Sequence, residues 1–578
     1  MPIILAKTAG FCMGVRRAMN LVLDAANKDN VNIYTVGPLV HNTQAVEMLK
    51  NRKVNVITDL TSIPPGKVFI RAHGVTPEIK QQLEQPKVEI VDATCPFVRS
   101  AQLIIDKYAK LGYSSIIIGD SGHPEVVGLL GYAQGKGYVV ATEQDILKLP
   151  ELGNICVVAQ TTQSSDRYNR LTTAIKTRFP NAVINNTVCC STEERQTETL
   201  DLAKRVDAMI IVGGRHSANT KRLAEIAQST GTPTYLVETS DELNPSEIKQ
   251  YHTIGITAGA STPHWVILNV VRTVKRIKHE SGGAIYRITS ALFRLLIDTH
   301  LYLGFGAAAL TYACGLLQGF VPEIRYILVS FFYISSMHVF NSFTDKSAKE
   351  YDQPERVLFR RRFRVLLLWY AGISAFASLI IAATLGWIPI AILLIASLAG
   401  LFYSLQIIPR QLQKTVRYKS FKAIPGSKDV FMSLAWSLVT VIIPFLSQTK
   451  YAIGLDDAVA MLFAFGIVFI RSIMFDLKEL EGDRIIGKET LPIILGRKGT
   501  SALLNADMLL LTILLMVSYI ATWTSVLSLI LIGTIAYILI YRYLHKKKLI
   551  GEELLFETTI DGQFLLTGIL ALLFKYIF

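Results

Sequence analysis

Cysteine is scarce in this chain: Cys12, Cys95, Cys156, Cys189, Cys190 and Cys314 are the only six in 578 residues. That density excludes a small fold stapled by disulfides. No CxxC pair occurs, which argues against an ordinary four-ligand zinc site. The start, MPIILAKTAGFCMGVRRA, lacks a basic stretch followed by an apolar core, so no signal peptide is expected. Charge is thin as well: 18% of residues are charged, 51% are hydrophobic, and mean hydropathy is +0.37. Those values exclude a disordered or fibrous chain and are too apolar for an ordinary soluble enzyme. The net charge of +14 comes without any groove-reading motif, so no nucleic-acid partner is expected.

The apolar excess is uneven. Up to Gly283 the sequence alternates charged helices with short strands, as α/β proteins do; beyond it, long apolar runs are separated by basic loops. Residues 284–578 hold 28 Lys and Arg against 19 Asp and Glu, so +9 of the charge lies there. That excess reads as loops held on the cytoplasmic side of a membrane. Two domains are expected, over 1–280 and 284–578.

The first half repeats itself. Strand Ile3–Ala6 leads to Cys12, a helix from about Gly14 to Ala26, and strand Asn32–Val36 ending in Gly37-Pro38-Leu39-Val40-His41-Asn42. Strand Val88–Asp92 leads to Cys95, helix Val98–Leu111, and strand Ser114–Ile118 ending in Gly119 to Glu125. Strand Ala182–Asn185 leads to Cys189, helix Glu193–Val206, and strand Ala208–Val212 ending in Gly213 to Asn219. The distance from cysteine to strand-end glycine is 25, 24 and 24 residues. The expected fold is α/β: three pseudo-repeated β-Cys-α-β units around a centre, with parallel sheets and ligands at the strands' carboxyl ends. Three separate core cysteines, a zinc site with three ligands and water, and an iron–sulfur cluster short of one ligand are the alternatives for the thiols. Repeat-equivalent positions weigh against the first. Cys156 and Cys190 fall outside the register and receive no role.

In order, GFCMGVRRA, GPLVHN, RAHGV, DATCPFV, GHPEV, QTT, CCSTEERQ and ITAGAS resemble the 4-hydroxy-3-methylbut-2-enyl diphosphate reductases, the IspH/LytB family, over roughly residues 1–275. The resemblance implies a [4Fe–4S] cluster held by Cys12, Cys95 and Cys189. It implies a diphosphate pocket lined by His41, His73 and His123, with Ser217, Asn219 and Ser261 adding hydrogen bonds. Glu125, helped by Thr162, is implied as proton donor, and an external carrier such as ferredoxin or flavodoxin as electron source. The residue types suit the task, since imidazoles and hydroxyls donate to polyanions and a carboxyl protonates a leaving hydroxyl. One departure is visible: Ala218 stands where the family pattern has Ser.

Beyond Gly283, about nine transmembrane helices are expected, near 295–317, 324–340, 364–384, 388–408, 430–447, 457–475, 502–522, 525–541 and 560–577. One set of loops carries 22 Lys and Arg, the opposite set three. The positive-inside rule then puts the basic loops and the first half in the cytoplasm, at a bacterial-type inner (plasma) membrane. Carboxylates and one asparagine sit on the basic loops: Asn341, Asp345 and Asp352 after the second span, Asp476, Glu479 and Asp483 after the sixth. The last three share a face if helical. Such a face reads either as a solvated salt-bridge surface or as a Mg²⁺ site shared with a diphosphate.

DLKELEGDRIIGKETLPIILG and Ile424–Trp436 resemble the UbiA family of intramembrane prenyltransferases, over roughly 290–578. Glu479 replaces the usual Asp; Ser342 and Lys349 stand where the first acidic motif has Asp, with Asp352 as a possible substitute. Lys428 is a candidate diphosphate contact. The resemblance implies Mg²⁺-dependent transfer of a prenyl group from its diphosphate to a lipid-soluble, aromatic acceptor. The expected protein is a bifunctional isoprenoid enzyme. A membrane half that serves only as a tether and a cluster-based redox sensor are the alternatives.

Overall fold

The computed structural model describes residues 3–28, 31–280, 284–344, 354–404, 424–446, 453–547 and 553–577. The chain forms two compact units, Met1–Gly282 and Gly283–Phe578.

The first unit is α/β. Its strands are β1 (Ile3–Leu5), β2 (Ile33–Val36), β3 (Val54–Ile57), β4 (Gly66–Ile70), β5 (Val88–Asp92) and β6 (Ser114–Ile118). They continue as β7 (Gly137–Val140), β8 (Ile155–Ala159), β9 (Val183–Ile184), β10 (Ala208–Val212), β11 (Thr234–Val237) and β12 (Ile254–Ala258). They build three four-stranded sheets of order β3-β2-β4-β5, β7-β6-β8-β9 and β11-β10-β12-β1. Every pairing is parallel. Strands β8, β10 and β12 are buried along their whole length, which is why ICVVA, AMIIV and IGITA read as nearly unbroken apolar runs.

An edge strand of each sheet, β1, β5 or β9, leads to a cysteine at the start of a helix. Those helices are Met13–Lys28, Pro96–Lys110 and Cys190–Ala203. They begin one to three residues earlier than the apolar periodicity suggests. Pro96 occupies the first turn, where its missing N–H costs nothing, and Cys95 and Cys189 stand at the N-caps.

The second unit is helical. Seven helices are long and apolar enough to cross a membrane: Ile324–Phe343, Arg364–Ala383, Ser427–Leu446, Leu455–Lys478, Leu491–Ile520, Leu527–Lys546 and Leu554–Ile577. Among the described residues the expected nine are not reached: there are seven such helices, or eight if the bent pair at the first expected span is one crossing. At the first expected span, Ala291–Asp298 and Leu301–Leu317 are bent by 67°. His300 sits at that bend in the left-handed region (φ 60°), a conformation costly for a residue with a Cβ. At the fourth, the apolar helix is the shorter Trp387–Gly400. Ahead of Pro444 the fifth passes through a π turn at Leu438–Ile442, where the helical hydrogen bonding is interrupted by the missing proline N–H. The sixth helix ends at Lys478, Glu479 is its C-cap, and a short helix Leu480–Ile486 follows.

Apolar packing alone does not hold this unit. Trp436 stacks on Phe564 at 4.9 Å. Arg471 pairs with Asp561, both buried. Arg356 bridges Asp298 and Glu557 at 2.6 Å each, and Lys478 reaches Glu557 at 3.4 Å. Removing one member of a buried pair strands its partner's charge, so Arg471→Met should cost about 3–5 kcal/mol in denaturation of the detergent-solubilised protein. Arg471→Met with Asp561→Leu should recover most of that loss.

Candidate functional site

Every polar residue singled out in the first half falls at the carboxyl end of a parallel strand. His41 follows β2, His73 follows β4 and His123 follows β6; Thr162 follows β8, Ser217 and Asn219 follow β10, and Ser261 follows β12. The three imidazoles come together, with ring centroids 4.7 Å (His41–His73), 5.9 Å (His41–His123) and 5.7 Å (His73–His123) apart. Ser261 Oγ donates to the His41 carbonyl at 3.2 Å. A Cβ on Gly214 would stand 3.0 Å from that carbonyl, so the β10 loop also closes on His41. Ser217 caps helix Ala218–Gln228 by accepting from Thr220 N–H.

Burial holds all three imidazoles below their ordinary range, assisted by the Arg71 guanidinium and, for His73 and His123, by the neighbouring imidazoles. His123 falls to about 4. Its Nδ1 accepts from Glu125 N–H at 3.2 Å, which leaves the ring proton on Nε2. His41 Nε2, His73 Nδ1, Arg71 Nε, Asn42 Nδ2 and both amide atoms of Asn219 are buried without a hydrogen-bond partner among the described residues. Left unpaired, such groups are expensive, and most of these can donate. The pocket therefore suits an anion rich in acceptor oxygens.

Glu125 lies in the first turn of helix Pro124–Gly131 and is 2% exposed. Thr161 N–H donates to one carboxyl oxygen at 2.6 Å and Thr161 Oγ1 to the other at 3.0 Å. Burial pushes this acid up to about 7, against the downward pull of those two bonds. Thr162, the residue singled out from sequence, instead accepts from Gln160 Nε2 at 3.0 Å.

The thiols converge as well. A Cβ on Gly14 would meet Cys95 Sγ at 2.4 Å, so this glycine is what lets the Cys12 turn approach Cys95. Cys95 is close enough to feel the charge of Cys12 and Glu125, and Cys189 that of Cys95. Burial pushes the Cys95 thiol up and Cys189 to about 11, while N–H groups of Phe97, Val98, Ser191 and Thr192 oppose it. Sulfurs facing helix-start N–H groups suit thiolates neutralised by metal. Among the described residues, the single group arranged for one metal ion is the histidine trio, so the more widely spread thiols fit a multi-iron body better than one ion.

Two cations escaped the sequence reading. Arg71 lies two residues before His73. Arg195 is buried on the helix that Cys189 starts, donates to Ala258 O at 2.7 Å and Gly10 O at 2.9 Å, and feels the charge of Cys12 and Cys189. Its signal was a charge at helical spacing with the buried Thr192 and Thr199.

In the second unit, Asp476, Glu479 and Asp483 are all buried despite the helix break. Lys428 Nζ donates to Asp476 Oδ1 at 2.8 Å, with Glu479 and Asp429 charged nearby. Lys488 pairs with Asp483 at 3.7 Å, yet both Asp483 oxygens lack a hydrogen-bond donor. Burial raises Asp483 to about 7, against the pull of Lys488. Unsatisfied carboxylate oxygens suit a hard cation. Asn341 is exposed near the end of helix Ile324–Thr344; Asp345, Lys349 and Asp352 lie outside the described residues.

These features define an α/β unit with three converging thiols and a pocket of unpaired donors, followed by a membrane unit with buried, unsatisfied carboxylates. The chain belongs to the LytB protein family through residues 3–275, and residues 298–552 match the family model of the UbiA prenyltransferase family. The first is a family of iron–sulfur enzymes. A 4-hydroxy-3-methylbut-2-enyl diphosphate reductase of Alkaliphilus oremlandii is 42% identical over 279 residues, covering 48% of this chain and 100% of that protein. The reductase structure from Plasmodium falciparum is 30% identical, covers 47% of this chain and 86% of its own, and has a TM-score of 0.45. A UbiA homolog from Archaeoglobus fulgidus, solved with DMAPP and Mg²⁺, is 17% identical, covers 49% and 99%, and has a TM-score of 0.34.

Because folding raises the Glu125 pKa, the group favours the folded state only while protonated in both states. That contribution is lost as pH climbs from its ordinary value of 4.5 and is gone above about 7. Glu125→Gln should therefore stabilise the metal-free protein by about 3 kcal/mol above pH 7, with the gain vanishing near pH 4.5. Denaturation across that range measures it.

Proposed function

We infer that the chain is a bifunctional isoprenoid enzyme: a 4-hydroxy-3-methylbut-2-enyl diphosphate reductase over 1–280 and an integral-membrane prenyltransferase over 284–578. The observation that carries the first assignment is the meeting of three helix-start thiols, a buried acid of raised pKa and a pocket of unpaired donors. The units of β-Cys-α-β repeat around that centre.

In this reading the substrate's diphosphate binds His41, His73, His123, Arg71, Ser217, Asn219 and Ser261. Neutral imidazoles with a donor N–H bind it without the repulsion three imidazolium ions would impose on one another. A [4Fe–4S] cluster on Cys12, Cys95 and Cys189 supplies, when bound, electrons delivered by ferredoxin or flavodoxin and Lewis acidity at an iron without a protein ligand. Glu125 holds a proton near neutral pH and gives it to the hydroxyl that departs as water. Thr161 fixes the carboxyl, and Thr162 completes the same loop. Two electrons and two protons convert the substrate to isopentenyl or dimethylallyl diphosphate and water.

In the membrane unit, Asn341, Asp345, Asp476, Glu479 and Asp483, with Asp352, hold Mg²⁺ against a prenyl diphosphate, and Lys428 offsets its charge. The prenyl group passes to a lipid-soluble, aromatic acceptor. Basic loops and the reductase unit face the cytoplasm of a bacterial-type inner membrane.

Reciprocal variants test the pair of activities. Asp483→Asn should abolish prenyl transfer and leave reductase turnover unchanged; Cys12→Ser should do the reverse when prenyl donor is supplied. Glu125→Gln should keep the iron–sulfur absorption and lose reductase turnover by on the order of 10²-fold or more. Near-normal turnover would move the proton-donor role elsewhere.

A further inference from the structure

Asp429, at the start of helix Ser427–Ser437, is 1% exposed. Ser472 Oγ donates to its Oδ1. Its Oδ2 has no hydrogen-bond partner among the described residues. Asp429 lines a cavity with Tyr403, Lys428, Asp476, Lys488 and Thr490. Thr490, 3% exposed, brings a second unpartnered oxygen, Oγ1, to that cavity. The two cations on its wall pair with other carboxylates, Lys428 with Asp476 and Lys488 with Asp483; their charge reaches Asp429, but neither hydrogen-bonds its Oδ2.

A carboxylate buried in an apolar span with one bare oxygen is an expensive arrangement unless something electropositive meets it. Water would satisfy the hydrogen bond and leave the charge. A hard divalent cation satisfies both, and magnesium takes carboxylates, waters and substrate phosphates together. Asp476 borders the same cavity, so an ion there would be continuous with the carboxylate site on the sixth span. Lys428 and Lys488 would then be free to turn toward the diphosphate the ion accompanies.

We propose that Asp429 is a further ligand of the Mg²⁺–diphosphate site, reaching it through Oδ2 from the fifth span. The inference rests on the reading of this unit as a Mg²⁺-dependent prenyltransferase.

Mn²⁺ is a paramagnetic stand-in for Mg²⁺, and its binding to the full chain in detergent, with inorganic diphosphate present, is read by electron paramagnetic resonance. Loss of outer-shell partners alone weakens metal sites 10–100-fold, so Asp429→Asn should weaken Mn²⁺ binding by roughly tenfold or more. Affinity equal to that of the unaltered protein overturns the assignment while leaving the prenyltransferase reading intact. Failure of the unaltered protein to bind Mn²⁺ overturns both. Should Asp429→Asn not fold, Ser472→Ala removes only the hydroxyl that orients Oδ1. It should weaken Mn²⁺ binding in the same direction by a smaller factor, and unchanged binding there counts against the proposal.

Discussion

Parallel strands deliver all their carboxyl ends, and the polar loops that follow them, to one edge of a sheet. The first unit depends on that constraint three times over. In each sheet an edge strand hands the chain to a cysteine that opens a helix, and the two inner strands hand it to polar loops. The sulfurs thereby inherit helix-start N–H groups, whose partial positive charge faces them. The third sheet closes only when β1, the first strand, pairs with β12, joining Ile3 to Ile254. Arg195 locks that closure by gripping Gly10 O and Ala258 O from the helix opened by Cys189. The position of Cys12 thus depends on residues some 250 further along, so the thiol centre forms when the whole unit has folded.

Among the described residues, the histidine pocket and the carboxylate cavity leave largely opposite kinds of atoms unpaired. In the first, ring and guanidinium nitrogens and amide groups are orphaned around the histidine trio; in the second, carboxylate and hydroxyl oxygens of Asp429, Asp483 and Thr490 are. An unpaired buried polar atom costs about 1–3 kcal/mol, which the folded chain carries until a ligand offsets it. Orphaned donors call for an anion and orphaned acceptors for a cation. The same logic raises Glu125: the carboxyl meets two donors from Thr161, yet burial outweighs them. A neutral acid beside a thiol centre is what proton delivery near pH 7 requires.

The strands of the first unit were largely legible in its sequence, because short, nearly unbroken apolar runs mark buried parallel strands and the residues that follow them share an edge. His41 and His123 could be grouped from that register, whereas His73, Thr162 and Ser261 rested on the family resemblance alone. Thr161 could not be told from Thr162, since which of two adjacent hydroxyls faces Glu125 depends on turn geometry rather than on pattern. Arg71 and Arg195 were hidden because a lone charge in a strand-end or helical stretch reads as solvated until its burial is known. In the membrane unit, hydropathy located the helices but not the bend at His300 or the short helix at Trp387, neither of which hydropathy marks. The break at Glu479 was likewise invisible, and so was the pairing of Lys428 with Asp476 across 48 positions.

The central claim is that Cys12, Cys95 and Cys189 act as one ligand set. Alkylation of cysteines in the anaerobic full chain, mapped by mass spectrometry before and after iron is chelated, tests it most directly. The account predicts that these three are protected together in the iron-loaded protein and become reactive together on chelation, while the exposed Cys190 is modified throughout. Modification of any one of the three in fully loaded protein, with the other two still protected, would contradict it.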